Sequence, residues 1–166
     1  MLIERWRNLS AHLPGRIRYL TLVALLLFFI VLLRTAWVCD DAYITLRTID
    51  NLVHGYGLTW NIGERVQTYT HPLWMILLAL FYFVTREAFL TTIALSLAVS
   101  LAAVALFASK ISRSAQAAIL GIFVFALSKS FTDFSTSGLE NPLSHLLLAL
   151  FVIAFLKSDT GPRSLD

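Results

Sequence analysis

Long apolar runs separated by short polar breaks dominate this chain, and its polar residues gather in a few places. Residues 17–38 are uncharged between Arg18 and Arg34, residues 88–109 and 114–128 carry no charge, and residues 139–156 carry Glu140 at the start and His145 within. A helix needs roughly 17–25 apolar residues to cross about 30 Å of hydrocarbon. None of these runs alternates in polarity as barrel strands do, so helices are the spanning form they predict. The expected fold class is all-α, a polytopic membrane protein with about four transmembrane helices at 17–38, 88–109, 114–131 and 139–156. The first run is too long for a signal-peptide core, and no small-residue cleavage site follows it.

The polar breaks predict further elements. Residues 1–16 read as a basic amphipathic head on the cytoplasmic membrane surface, with Leu2, Ile3, Trp6, Leu9 and Leu13 at helical spacing. Residues 39–71 form the one long polar stretch. Within it Ala42, Leu46, Ile49 and Val53 share a helical face, which predicts a juxtamembrane helix over 42–54 that stops at Gly55-Tyr56-Gly57. Residues 58–69 read as extended chain with a turn at 61–64. The apolar run at 72–84 is short for a span and reads as a re-entrant or interfacial helix.

Charge then sets the expected sidedness. If 72–84 does not cross, the inner side holds Arg5, Arg7, Arg16, Arg18, Lys110, Arg113, Lys157 and Arg163. The outer side holds Arg47, Arg65, Arg86 and Lys129. This positive-inside bias weakens if 72–84 crosses. Residues 39–71 and the loop 132–138 are therefore expected outside, and the tail 157–166 inside. The whole chain reads as one multi-pass transmembrane domain.

Composition agrees. The chain is 58% hydrophobic and 14% charged, against about 45–50% and about 25% in soluble domains. The net charge of +3 comes from residues at span ends and is no nucleic-acid signal. The single cysteine, Cys39, excludes an internal disulfide. No phosphate-cradling glycine loop is present, which speaks against a nucleotide sugar held by a dinucleotide-binding unit.

Three motifs could carry chemistry. Asp40-Asp41 sits at the outer end of the first run and at a helix start. Capping explains one aspartate there, and a second is costly near lipid, so a base or a metal ligand is the competing reading. In Tyr69-Thr70-His71-Pro72-Leu73-Trp74, belt and helix-start roles account for Trp74 and Pro72 and leave His71 over. In Thr136-Ser137-Gly138-Leu139-Glu140-Asn141-Pro142, Glu140 suits a helix start by its charge or serves a site. Asp133 is a weaker candidate, and His145 is expected to make a helix–helix hydrogen bond.

These residues, taken in order from Asp40-Asp41-Ala42-Tyr43-Ile44 through Asn61-Ile62-Gly63-Glu64-Arg65-Val66 and Tyr69 to Trp74, then Ser137-Gly138-Leu139-Glu140, resemble the N-terminal part of GT-C-type membrane glycosyltransferases. The nearest likeness is to the mycobacterial terminal arabinofuranosyltransferases and related envelope enzymes, over residues 36–145. The resemblance implies a polyprenyl-phosphate sugar as donor, an envelope glycan as acceptor and chemistry at the outer face. It implies a catalytic carboxylate at Asp40 or Asp41, with Glu140 matching a second acidic position. Arg65, Tyr69, His71 and Glu140 become candidates for binding donor or acceptor, and Glu140 with His71 for a divalent metal that some relatives hold. Arg65 or Arg47 could neutralise a phosphate. Such enzymes have more spans than this chain shows, so a missing C-terminal part is expected as partner and the chain alone is not expected to be active. The competing class is a non-catalytic scaffold or transporter piece. A transporter places ionisable groups in mid-span, whereas here they collect at span ends.

Overall fold

The computed structural model describes residues 15–64 and 66–158. Residues 1–14 of the expected head, the end of the tail and Arg65 lie outside the described residues, while Gly15 and Arg16 already belong to the first helix. Every regular element among the described residues is helical.

Helix α1 spans Gly15–Arg34. Helix α2, Asp40–Val53, is strongly amphipathic and buries Ala42, Thr45, Leu46, Thr48 and Ile49. It starts two residues before the sequence pattern places it, at the aspartate pair, and Gly55 beyond its end has φ 85°. Helix α3, Pro72–Thr85, begins with proline in its first turn, where the missing N–H costs nothing. Helix α4 covers Ala88–Leu106, and Glu87 caps it by accepting from Leu90 N–H. A π turn over Phe107–Ile111 continues α4.

Helix α5, Ala115–Leu127, is shorter than the run that predicts it. At Ser128 the backbone leaves the helical region (φ −76°, ψ 105°), and the Ser128 hydroxyl caps a second short helix, α6, over Lys129–Phe134. The 13 residues of α5 span roughly 20 Å at 1.5 Å per residue. Helix α7, Asn141–Ser158, closes the described chain. Residues 58–64 and 66–69 form no regular element, and the expected turn at 61–64 is present, with Glu64 N–H donating to the Asn61 carbonyl at 3.1 Å.

Helix α4 is the centre of the packing, touching α1, α3 and α7. One core joins α2, α3 and α4 through Leu46, Ile49, Trp74, Met75, Leu78, Tyr82 and Leu95. The other joins α1, α4 and α5 through Ala24, Phe28, Leu32, Leu97, Val104 and Ile122. Two helical segments, Ala88–Ile111 and Asn141–Ser158, are long and apolar enough to cross a membrane. Only 11% of the apolar window of α7 is buried within the described residues. Leu147, Leu148, Leu150, Phe151 and Phe155 face outward on it. An outward apolar surface of this extent suits contact with lipid or with another protein face.

Candidate functional site

The loop between α6 and α7 knots the two cores together. Ser135, Thr136 and Ser137 are fully buried there. Cys39 N–H, at the start of α2, donates to the Ser137 carbonyl at 2.9 Å. Trp74 Nε1, on α3, donates to the Gly138 carbonyl at 2.9 Å. Ser100 Oγ, on α4, donates to the Ser135 carbonyl at 3.1 Å. Trp37 Nε1 donates to the Asp133 carbonyl at 3.0 Å. Gly138 takes φ +86°, and a Cβ there would lie 2.7 Å from Ala42 Cβ. The backbone of this loop is thus pressed against the first turn of α2.

This knot sets Glu140 beside His71, although 68 residues separate them in the chain. His71 Nδ1 lies 3.1 Å from Glu140 Oε2. The histidine side chain is only 10% exposed, while that of Glu140 is 45% exposed and open to an incoming group. His71 Nε2 lies 3.0 Å from Thr45 Oγ1, on the buried face of α2. Thr70 Oγ1 lies further from Nδ1, at 3.4 Å.

The two aspartates differ. Asp40 Oδ1 accepts the Asp41 N–H at 3.1 Å, a local contact at the helix start. Both residues are exposed. A helix turns roughly 100° per residue, so Asp41 is about 40° around α2 from Thr45, on the His71 side. Asp40 is about 140° away from Thr45, toward Arg47.

The remaining candidates are committed locally or border the site. Arg47 Nε donates to the Trp60 carbonyl at 3.0 Å, and its guanidinium lies 4.8 Å from the Trp60 ring centre. Asp133 pairs with Lys129 one turn away. Half-buried Tyr69 packs on the α2–α3 core and, with Leu58, Thr59, Val66, Gln67 and Pro72, lines an open groove of about 600 Å³ next to His71. His145 does not make the helix–helix hydrogen bond its sequence position suggests. Its ring stacks on Phe131 at 4.5 Å, and its buried Nδ1 has no partner.

Among the described residues no group of three or more His, Cys, Asp or Glu side chains comes together to hold a metal ion. Both ring nitrogens of His71 already have partners.

Sequence reasoning missed Thr45, and also a second cluster at the far end of α2. There the Asp50 carboxylate accepts from the Tyr82 hydroxyl of α3 and pairs with His54 Nδ1 at 3.1 Å. The available signal for Thr45 was a polar residue on the face shared by Ala42, Leu46 and Ile49.

The described residues form an all-helical unit with two candidate membrane spans and a carboxylate–histidine pair where two helices start. The chain is similar to the terminal beta-(1->2)-arabinofuranosyltransferase of Corynebacterium glutamicum, 34% identical over 138 residues, which are 77% of this chain and 20% of that protein. It is also similar to the terminal beta-(1->2)-arabinofuranosyltransferase of Mycobacterium tuberculosis, 35% identical over 126 residues, 69% of this chain and 20% of that protein. The resemblance read from the motifs is therefore present across most of the chain, while the chain spans about a fifth of the length of these relatives. No family model matches the chain. No solved structure matches it.

Proposed function

We propose that this chain carries the outer-face site of a membrane glycosyltransferase that moves an arabinofuranosyl group from a polyprenyl-phosphate donor to a hydroxyl of a cell-envelope glycan. The observation that carries the reading is the similarity to two terminal arabinofuranosyltransferases over 69–77% of the chain. The meeting of His71 and Glu140 within that stretch supports it.

In this reading the acceptor oxygen attacks the anomeric carbon with inversion. Its proton passes to a carboxylate, and the bond to phosphate breaks with the electron pair leaving on polyprenyl phosphate. Asp41 is the base, since it lies on the same side of α2 as His71 and no capping bond occupies its carboxylate. Glu140 binds a sugar hydroxyl through its open oxygen, and the groove beside Tyr69 receives the acceptor. Arg65 is the cation for the leaving phosphate, because Arg47 is tied to Trp60. Replacing Glu140 by Gln in the natural gene of the host is expected to lower the terminal arabinofuranosyl content of the envelope glycan severalfold, read by linkage analysis. Unchanged termini in that strain would remove Glu140 from the site.

The same reading makes α1, α4, α5 with α6, and α7 four crossings, with α3 half inserted and the site outside. The charge asymmetry between the two sides supports this. In a Cys39→Ser background, Gln67→Cys is expected to react with a membrane-impermeant thiol reagent in intact cells. Ser109→Cys is expected to react only after permeabilisation. Equal labelling of both in intact cells would overturn the topology and make α3 a true span.

A further inference from the structure

We infer that Thr45 is a positioning residue for the proposed site. It donates to His71 Nε2 and so holds the ring with its proton on Nδ1, aimed at Glu140. The inference rests on the reading of Glu140 as a site carboxylate, and adds the group that fixes its partner.

Two independent observations give the proton the same place. An ionised carboxylate only accepts hydrogen bonds. Glu140 Oε2 at 3.1 Å is nearer to Nδ1 than the Thr70 hydroxyl at 3.4 Å, so Nδ1 is the donor. In the neutral ring Nε2 is then an acceptor, and Thr45 Oγ1 stands 3.0 Å from it. The second observation comes from Thr45 itself. A helical threonine ordinarily turns its hydroxyl back to the carbonyl four residues earlier. Thr48, one turn on, does so, donating to the Ile44 carbonyl at 3.1 Å, and Thr92 does so to the Ala88 carbonyl at 2.8 Å. Among the described residues Thr45 makes no such bond, and His71 Nε2 is the one hydrogen-bond partner of its hydroxyl.

The order carboxylate, imidazole, hydroxyl is that of a hydrolytic triad, in which the hydroxyl attacks. Here Thr45 is 1% exposed, so no substrate reaches it. The open end is Glu140, and the relay works in the opposite sense. The buried hydroxyl fixes the tautomer, the tautomer keeps an N–H on one carboxylate oxygen, and the other oxygen is left free for a ligand.

Nitrogen-15 spectra of the His71 ring test this in the full chain in lipid nanodiscs, at a pH where the ring is neutral. The wild type and Thr45→Ser are expected to show the Nδ1–H tautomer as the major form. Thr45→Val is isosteric and lacks the donor, and is expected to lose that preference and gain the Nε2–H form. A predominant Nε2–H form in the wild type would overturn the inference, as would an unchanged Nδ1–H preference in Thr45→Val. If Thr45→Val does not fold, the comparison of wild type with Thr45→Ser decides: loss of the Nδ1–H form in either would overturn it. The spectra require no turnover, so they stand apart from the fate of the proposed transferase activity.

Discussion

Asp41→Asn is expected to reduce sugar transfer by about 10²–10⁴-fold, the usual cost of losing a general base, while Asp40→Asn keeps most of it. Both aspartates lie in the first turn of α2, where a negative charge is favourable by about 0.3–1 kcal/mol. Asparagine also caps helices about as well as aspartate. Neither change should therefore unfold the chain, and both variants should melt within a few degrees of the wild type. The difference between them comes from direction alone. Asp40 accepts the neighbouring Asp41 N–H, a bond the amide oxygen of asparagine also makes. Asp41 lies about 40° around the helix from Thr45, whose hydroxyl meets His71. Transfer measured in host membranes carrying each allele checks the pair. Equal losses in the two variants would dissolve the distinction between them, and full activity in both would leave only the helix-start role.

Gly138→Ala is expected to be among the most damaging single-methyl additions in the chain. Two costs fall on it together. A non-glycine residue at φ +86° is strained by about 1–3 kcal/mol. The added Cβ would also stand 2.7 Å from Ala42 Cβ and 3.2 Å from both Thr92 Cγ2 and Val38 Cγ1, and overpacking of this kind typically costs about 1–3 kcal/mol. Any relief moves the 135–140 loop off α2, which breaks the Trp74–Gly138 bond and separates Glu140 from His71. Gly55→Ala is the control. Its φ is +85°, yet nothing lies within 4 Å of a Cβ there, so it bears the backbone cost only. Denaturant or thermal unfolding in detergent should put Gly138→Ala well below Gly55→Ala. Equal stability of the two would mean that the loop is not pressed against α2.

Much of the helical layout was legible because uncharged apolar runs have few alternatives to helix. The apolar period of Ala42, Leu46, Ile49 and Val53 similarly announced α2. The break at Ser128 was hidden inside an apolar run, because a serine that caps the next helix looks like any small residue until the chain is seen to turn. The π turn at Phe107–Ile111 left no sequence signal at all. In the site, His71 and Glu140 stood out as residues that capping and belt roles did not exhaust. Their pairing could not be read, since it depends on the buried 135–138 loop docking against α2 and Trp74. Thr45 was passed over because one hydroxyl on an apolar face is chemically quiet until a ring nitrogen is placed opposite it. His145 was misread for the converse reason: its one-turn spacing from Asn141 suggested a polar contact, and aromatic stacking on Phe131 took its place.

The most direct test of the central claim follows label from donor to glycan. Membranes of the host strain, with the natural gene deleted and then restored, are given radiolabelled polyprenyl-phosphate arabinofuranose and an envelope arabinan acceptor. The expected result is that terminal label disappears on deletion, returns with the wild-type gene, and does not return with the Asp41→Asn allele. Terminal labelling that persists at the wild-type level after deletion would contradict the claim.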